Sequence, residues 1–168
     1  SLNIIVYPAK VNGALVGAAV ESVTKNGFSG EIEVMCGFDL DGTIRDYKVL
    51  KHAETAGLGS KMQEWFRTPK GSQNVIGLNP GKDKVRVKKD GGQVDAITAA
   101  TISSRAFLNS INKAYETYQI ARGETPIVDA WSEATSVTPI DTIATIDVAT
   151  VDTITNDTVS IDSLNSQL

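Results

Sequence analysis

The chain has 168 residues, 41% of them hydrophobic and 6% aromatic, with 16 Lys and Arg against 20 Asp and Glu. That length suits one folded domain at the usual ~100–200 residues per domain. The net charge of −4 conceals a split: residues 1–123 carry every basic residue and are +4, while residues 124–168 hold eight acids and no base and are −8. A folded domain with an acidic low-complexity appendage fits this division. The split does not point to a nucleic-acid partner, because the basic residues are scattered along the domain and form no single run. The one cysteine, Cys36, excludes an intramolecular disulfide, and in the apolar run EIEVMCGF it reads as a buried small hydrophobe. With no C-x-x-C pair and His52 the sole histidine, the donor set argues against structural zinc. No segment reaches the ~18 apolar residues of a membrane helix, and no signal peptide is visible.

The chain opens on SLNIIVYPAK, already strand-like. Residues 14–24, ALVGAAVESVT, read as a strand. Residues 31–39, EIEVMCGFD, read as another, with Ile32, Val34 and Cys36 alternating against Glu31, Glu33 and Met35. Asp41-Gly42 then signals a hairpin, since Gly tolerates the positive φ of a tight turn. The returning strand spans residues 43–51, with Ile44, Asp46 and Lys48 in one register and Tyr47 and Val49 in the other. Residues 14–51 thus predict an antiparallel meander. A glycine-marked turn follows at 52–60, then a short helix at 60–66 that ends before Pro69. Residues 67–84 read as loop, 85–89 (VRVKK) as a short strand, Gly91-Gly92 as a turn and 94–97 as one more short strand.

From residue 103 to about 120 the period becomes helical. Phe107, Ile111, Ala114, Tyr115 and Tyr118 share one face, which reads as core packing, while Asn109, Lys113 and Glu116 face away. Ser103 or Ser104 fits an N-cap and Gly123 a stop. The fold class is α+β, an antiparallel sheet meander with a few packed helices. Residues 124–168 form the Thr/Asp-rich extension. Asp recurs there at 141, 147, 152, 157 and 162. That spacing of about five builds no stripe on a helix or strand. Its β-branched content favours extended segments, paired on a sheet edge or on a neighbouring copy.

Two stretches carry chemistry. The first is DAITAATISS, residues 95–104. A helix beginning near Ser103 sets unpaired amides and the positive dipole end next to Thr101, a ready anion site. Ala99 and Ala100 let a ligand approach the backbone. A hydroxyl-rich loop that merely caps the helix is the other reading. The second is HAETAGLGSKM, residues 52–62. Gly57 and Gly59 flank Leu58, so the backbone can curl around a flat ligand, or these glycines serve a strand-to-helix turn. The Rossmann fingerprint is not met.

Together the two stretches resemble the FMN-binding domain family of the flavoprotein subunits of Rnf and Na⁺-translocating NADH:quinone reductase complexes. Its attachment motif is an acidic residue, two variable positions, Ser or Thr, Gly, Ala, then Thr or Ser. Asp95, Ala96, Ile97, Thr98, Ala99, Ala100 and Thr101 fill it, and the following ISSRAF, with Ile102 and Ser103, is typical of the Rnf G-subunit branch. The family's E-T-P-G-L-G loop matches Glu54, Thr55, Ala56, Gly57, Leu58 and Gly59. The resemblance covers roughly residues 12–120. It implies covalent FMN, moved from FAD by a flavin transferase onto Thr101 as a phosphoester. It also implies an electron-carrier component of a membrane-bound, ion-translocating oxidoreductase complex, with no catalytic acid or base of its own and with the other subunits as partners. An N-terminal helix of the full protein would anchor it in the inner membrane, the domain facing the periplasm. The quinone-reductase branch, or a flavin-free binding module with the same fold, are the alternatives. Ala99 replaces the family's Gly, and Ala56 its Pro. If position 99 needs positive φ, Ala is strained there. His52 and Glu54 either line the flavin pocket or hold the turn. In the tail, Asp141-Thr142-Ile143, Asp152-Thr153-Ile154, Asp157-Thr158-Val159 and Asp162-Ser163-Leu164 resemble a bacterial O-glycosylation signature.

Overall fold

The computed structural model describes residues 5–122 and 159–160. Four strands run in a meander: β1 (Ile5–Val11), β2 (Ala14–Thr24), β3 (Ile32–Asp39) and β4 (Ile44–His52). Each pairs antiparallel with the next, giving the order β4-β3-β2-β1-β5. The fifth strand is the two-residue β5 (Val159–Ser160), laid antiparallel on β1 at Ile5 and Val6. The extended pairing expected of the tail is seen there. Its remaining expected features, and the Gly123 stop, lie outside the described residues.

The hairpins follow turn chemistry. Asn12 and Gly13 both have positive φ, 50° and 77°, between β1 and β2. Asn-Gly is the preferred pair for such a two-residue turn. The sequence reading passed over this signal. Between β3 and β4, Gly42 takes φ 87°, and the Asp39 amide donates to the Thr43 carbonyl at 2.8 Å.

Strand β3 alternates buried and half-buried residues along its length, as its sequence predicts. Cys36 is fully buried, and burial pushes its thiol far above the usual range. Strand β4 departs from the expected register. Phe38 pairs with Ile44, but Gly37 pairs with Asp46, so Arg45 is an extra residue. A bulge of this kind shifts the alternation by one. Ile44 and Tyr47 therefore both face the core, while Asp46 and Lys48 are exposed.

The longest described helix, α2 (Thr101–Ala121), packs across β2 and β3. All five residues of its predicted stripe are buried. So are Ser104, Leu108, Ser110 and Thr117 on its other sides. The cause is the long connection from residue 67 to 97, which packs on α2 as well as the sheet does. The Asn112 side-chain amide donates to the Val85 carbonyl at 2.8 Å, and Arg105 grips Asp90 through two bonds of 2.7 Å. The short helix expected at 60–66 is a 3-10 turn at Gly59–Lys61 running into α1 (Met62–Trp65). The strands expected at 85–89 and 94–97 reduce to one parallel bridge, Val87 with Val94. The reason is local. Residues Lys88–Asp90 curl into a 3-10 turn ending at Gly91, φ 79°. The alternation of VRVKK served only to bury Val85 and Val87.

Phe107 lies at the centre. Its ring stacks on Phe66 at 4.5 Å and meets Tyr47 edge-on at 4.8 Å. Phe107→Ala leaves a cavity among these rings and is expected to destabilise the protein by about 3–5 kcal/mol, read from the urea midpoint. On the sheet face, Glu21 shares a hydrogen bond with Glu33, and this with partial burial pushes its carboxyl up to about 6. A raised acid binds protons more tightly when folded, so stability falls as pH rises from the unfolded carboxylate range through about 6. Glu21→Gln removes that penalty. The variant is expected to melt higher than the parent at pH 8, with the difference closing toward pH 4, in parallel thermal melts.

Candidate functional site

The site is built where α2 begins. Ile97–Ala100 is a turn closed by the Ala100 amide donating to the Ile97 carbonyl at 3.0 Å. Ala99 occupies its third position with φ 61°, a left-handed value for a residue with a Cβ. Ala100 precedes the helix, and no side chain among the described residues caps it. The expected caps are placed otherwise. Ser104 is inside the first turn, where its hydroxyl donates to the Ala100 carbonyl at 2.8 Å and accepts from the Ile97 amide at 2.9 Å. It fastens the turn to the helix from within. Ser103 is buried and bonds to Glu54. The helix starts two residues earlier than the spacing predicts, so Thr101 is its first residue and is half-buried. The first backbone bond into the helix runs from Ser104 to Ala100 at 3.0 Å. The amides of Thr101, Ile102 and Ser103 are the open donors that a helix N-terminus presents, together with about half a positive charge of dipole.

The second stretch comes to the same place. The Leu58 and Ser60 amides both donate to the Thr55 carbonyl, at 3.1 and 3.3 Å, curling residues 55–60 into a tight loop. Gly57 has φ 73°, and its amide donates to the Ser60 hydroxyl at 3.0 Å. Gly59 is pressed against the helix: a Cβ there would lie 2.5 Å from Ser103 Oγ and 2.8 Å from Glu54 Cβ. The loop and the first turn of α2 are therefore in direct contact. Three large apolar side chains remain exposed on chain segments that meet there: Leu58 at 39%, Ile102 at 49% and Phe28 at 66%. Phe28 was not singled out from the sequence. Its signal was Gly27 before it and Gly30 after it, which mark a bend that holds a large aromatic outside the meander.

Not every predicted residue points into this arrangement. Asp95 turns its carboxylate to the preceding loop, accepting from the Ser72 amide at 2.8 Å and pairing with Lys88 at 2.7 Å. The Lys88 bond, then the Ser72 amide, hold its carboxyl below the ordinary range. Its carbonyl accepts from the Trp65 indole at 2.9 Å. Asp95 thus anchors the strand of chain that enters the turn. Thr98 and Thr55 are exposed, as are Gly57 and Ala99. His52 accepts the Glu54 amide on Nδ1 at 3.2 Å and faces Gln63 with Nε2. Among the described residues no three His, Cys, Asp or Glu groups gather to hold a metal, and no helix is long and apolar enough to cross a membrane.

What the geometry can do is bind an anion on the open amides beside Thr101 and lay a flat apolar group on Leu58, Ile102 and Phe28. The comparisons point to a ligand of that shape. Residues 27–116 match the family model described as FMN-binding domain. The chain is 38% identical over 114 residues to the G subunit of the ion-translocating oxidoreductase complex of Vibrio atlanticus, covering 66% of this chain and 53% of that protein. It is 38% identical over 120 residues to the protein of the same name from Aliivibrio fischeri, covering 68% of this chain and 56% of the relative. The Vibrio cholerae serotype O1 protein of that name is 36% identical over 116 residues, with 66% and 53% covered. The chain spans about half the length of the curated relatives it matches.

The strained position gives a direct test of the turn. Ala99→Gly removes a Cβ from a left-handed residue, against a gain in unfolded-chain freedom. The balance is expected to raise stability by roughly 0.5–1 kcal/mol, seen as a higher melting temperature.

Proposed function

The chain belongs to the FMN-binding domain family, and from that premise we propose that it is the covalent-flavin electron-transfer component of an ion-translocating Rnf-type oxidoreductase complex, with FMN joined to Thr101 through a phosphoester. The observation that carries this reading is the uncapped start of α2 at Thr101. A cap that merely finished the helix would occupy these amides with its own oxygen. Here Thr101 is the first helical residue, and its hydroxyl has no hydrogen-bond partner among the described residues.

The residues fit the group. The open amides of Thr101, Ile102 and Ser103 suit a phosphodiester, which keeps one negative charge. Leu58, Ile102 and Phe28 offer apolar surface for a flat ring system, and the exposed loop at Thr55 to Gly57 offers backbone. Attachment by a flavin transferase forms a bond from Thr101 Oγ to the FMN phosphorus of FAD and breaks the pyrophosphate link. AMP leaves, and the hydroxyl proton is lost. When bound, FMN supplies the electron-transfer chemistry, and the protein supplies position and electrostatics. The chain's own tasks are to hold Thr101 at the end of a rigid helix, to keep the turn before it open, and to fix the loop against that helix. Asp95 acts one step back, by tying Ser72 and Lys88 to the start of the turn.

The relatives are G subunits of ion-translocating oxidoreductase complexes, which favours the Rnf branch over the quinone-reductase one. The other subunits of such a complex are the proposed partners. A helix in the full protein would anchor the domain in the inner membrane facing the periplasm. A second reading, a flavin-free binding module, draws on Ala99: a Cβ at φ 61° stiffens the turn that a transferase must grasp. Intact-mass spectrometry after incubation with FAD and an active transferase separates the two. The proposed reading expects a gain of one FMN less one water, absent in Thr101→Ala. No gain, with the transferase active on another acceptor, overturns the covalent reading and makes the flavin-free module the better account.

A further inference from the structure

Glu54, 6% exposed, is the one buried carboxylate among the described residues. Its oxygens accept from three groups on two distant segments. Oε2 takes the Phe28 amide at 3.0 Å and the Ser103 hydroxyl, while Oε1 takes the Ser29 amide at 2.8 Å. Its own amide donates to His52 Nδ1 at 3.2 Å, which fixes the backbone that carries it. The space around it is filled. A Cβ on Gly27 would lie 2.8 Å from Oε1, and a Cβ on Gly59 would lie 2.8 Å from Glu54 Cβ. Both neighbours must be glycine for the carboxylate to reach its donors.

Besides Glu54, the segment is held among the described residues only near its ends, by the Asn26 amide on the Thr24 hydroxyl and by the exposed Lys51–Glu31 pair, each at 3.2 Å. Residues 25–31 lie between β2 and β3 and form neither strand nor helix. The hydrogen bonds of the Phe28 and Ser29 amides both end on Glu54. Phe28 is two-thirds exposed, so burial of its ring does not anchor it. The other end of the lock is the first turn of α2. Ser103 is the second residue after Thr101, and Ile102 lies between them.

We propose that Glu54 is a positioning residue that ties the Phe28 segment to the first turn of α2, and that it does not itself contact the flavin. This rests on the reading of Thr101 as the FMN attachment point. Three donors, two of them backbone amides, already take most of the acceptor sites of the carboxylate and aim it away from the surface of the turn. Giving up these bonds, two part-buried and one buried, costs more than any one bond gained. The carboxylate therefore acts through what it holds. It holds the backbone of Phe28 and Ser29 against the first turn of α2 before any ligand arrives. The tight fit at Gly59 keeps the loop of residues 55–60 in the same rigid unit.

The test uses the full chain carrying Glu54→Gln, with Glu54→Asp beside it. The glutamine puts an NH₂ group against a donor, so at least one bond to the loop is lost. In flavin-free protein, amides of Phe28 and Ser29 are expected to exchange with solvent about tenfold faster, while amides at the centre of α2, from Phe107 to Ile111, keep their protection. Glu54→Asp retains both acceptors and is expected to restore part of the loop protection. After flavin transfer, the mass gain on Thr101 is expected in Glu54→Gln, with the flavin fluorescence quenched more readily by iodide than in the parent. Unchanged exchange at Phe28 and Ser29 in Glu54→Gln overturns the proposal. So does a shifted flavin absorption spectrum with loop exchange unaltered, the signature of a direct ligand. Failure of the parent chain to gain FMN sinks the attachment reading instead, and the exchange result on the flavin-free protein stands apart from it.

Discussion

Helix α2 is covered on two sides, by the sheet and by the long connection of residues 67–97, and nearly everything else is arranged around that constraint. A helix so enclosed can lose hydrogen-bonding capacity only at its ends. At the C-terminal end, the Arg122 amide donates to the carbonyls of Tyr118 and Gln119 and closes the last turn. At the N-terminal end the protein does the opposite. Ser104, which the sequence offers as a cap, is turned inward to fasten the Ile97–Ala100 turn. The open amides are left at the surface, next to a threonine. Burial of the shaft makes that end rigid, and the missing cap makes it receptive.

Rigidity at Thr101 would be of little use if the neighbouring loop could drift. The contact between Gly59 and Ser103 prevents this by leaving no room for a side chain. The Glu54 carboxylate adds the β2–β3 connection to the same unit. Three pieces of chain far apart in sequence, around Phe28, Leu58 and Ile102, thus meet at one helix terminus. Each brings one exposed apolar side chain. Such residues scattered singly would call for no explanation, but here all three lie on segments tied to the uncapped end of α2 through Glu54, Gly59 and Ser103.

Much of this was legible in the sequence, for identifiable reasons. Strand β3 alternates without interruption and is bounded by Gly30 and the Asp41-Gly42 turn, so its limits and its inward face could be read directly. The stripe on α2 is equally plain. Strand β4 could be placed but not registered, because a bulge at Arg45 has no local signature distinct from ordinary alternation. VRVKK misled for the opposite reason: a period of two states which side chains are buried, not whether a partner strand exists. The two site motifs could be named in advance. Their meeting was implied only by the family resemblance; the contacts that make it, between Gly59, Glu54 and Ser103, are long-range and leave no local signal. Phe28 was missed because exposure of an aromatic cannot be seen in a sequence, only its flanking glycines.

Ala99 is where stability and function pull on the same torsion angle. The turn before α2 requires a left-handed residue there, and the family places Gly, for which that conformation carries little strain. This chain places Ala and keeps the conformation, with φ 61°. The surroundings must therefore enforce it. The Ala100 to Ile97 bond closes the turn, Ser104 clamps both of its ends, and Asp95 ties its entrance to Ser72 and Lys88. These contacts hold the strained residue much as they would hold a glycine. A methyl group in place of hydrogen narrows what the backbone can do once the turn is engaged by another protein. The folded geometry at Thr101 is thereby retained while its adaptability is reduced. If Thr101 is the flavin acceptor, as proposed, the effect of Ala99 falls on the rate of attachment and not on the folded shape of the turn.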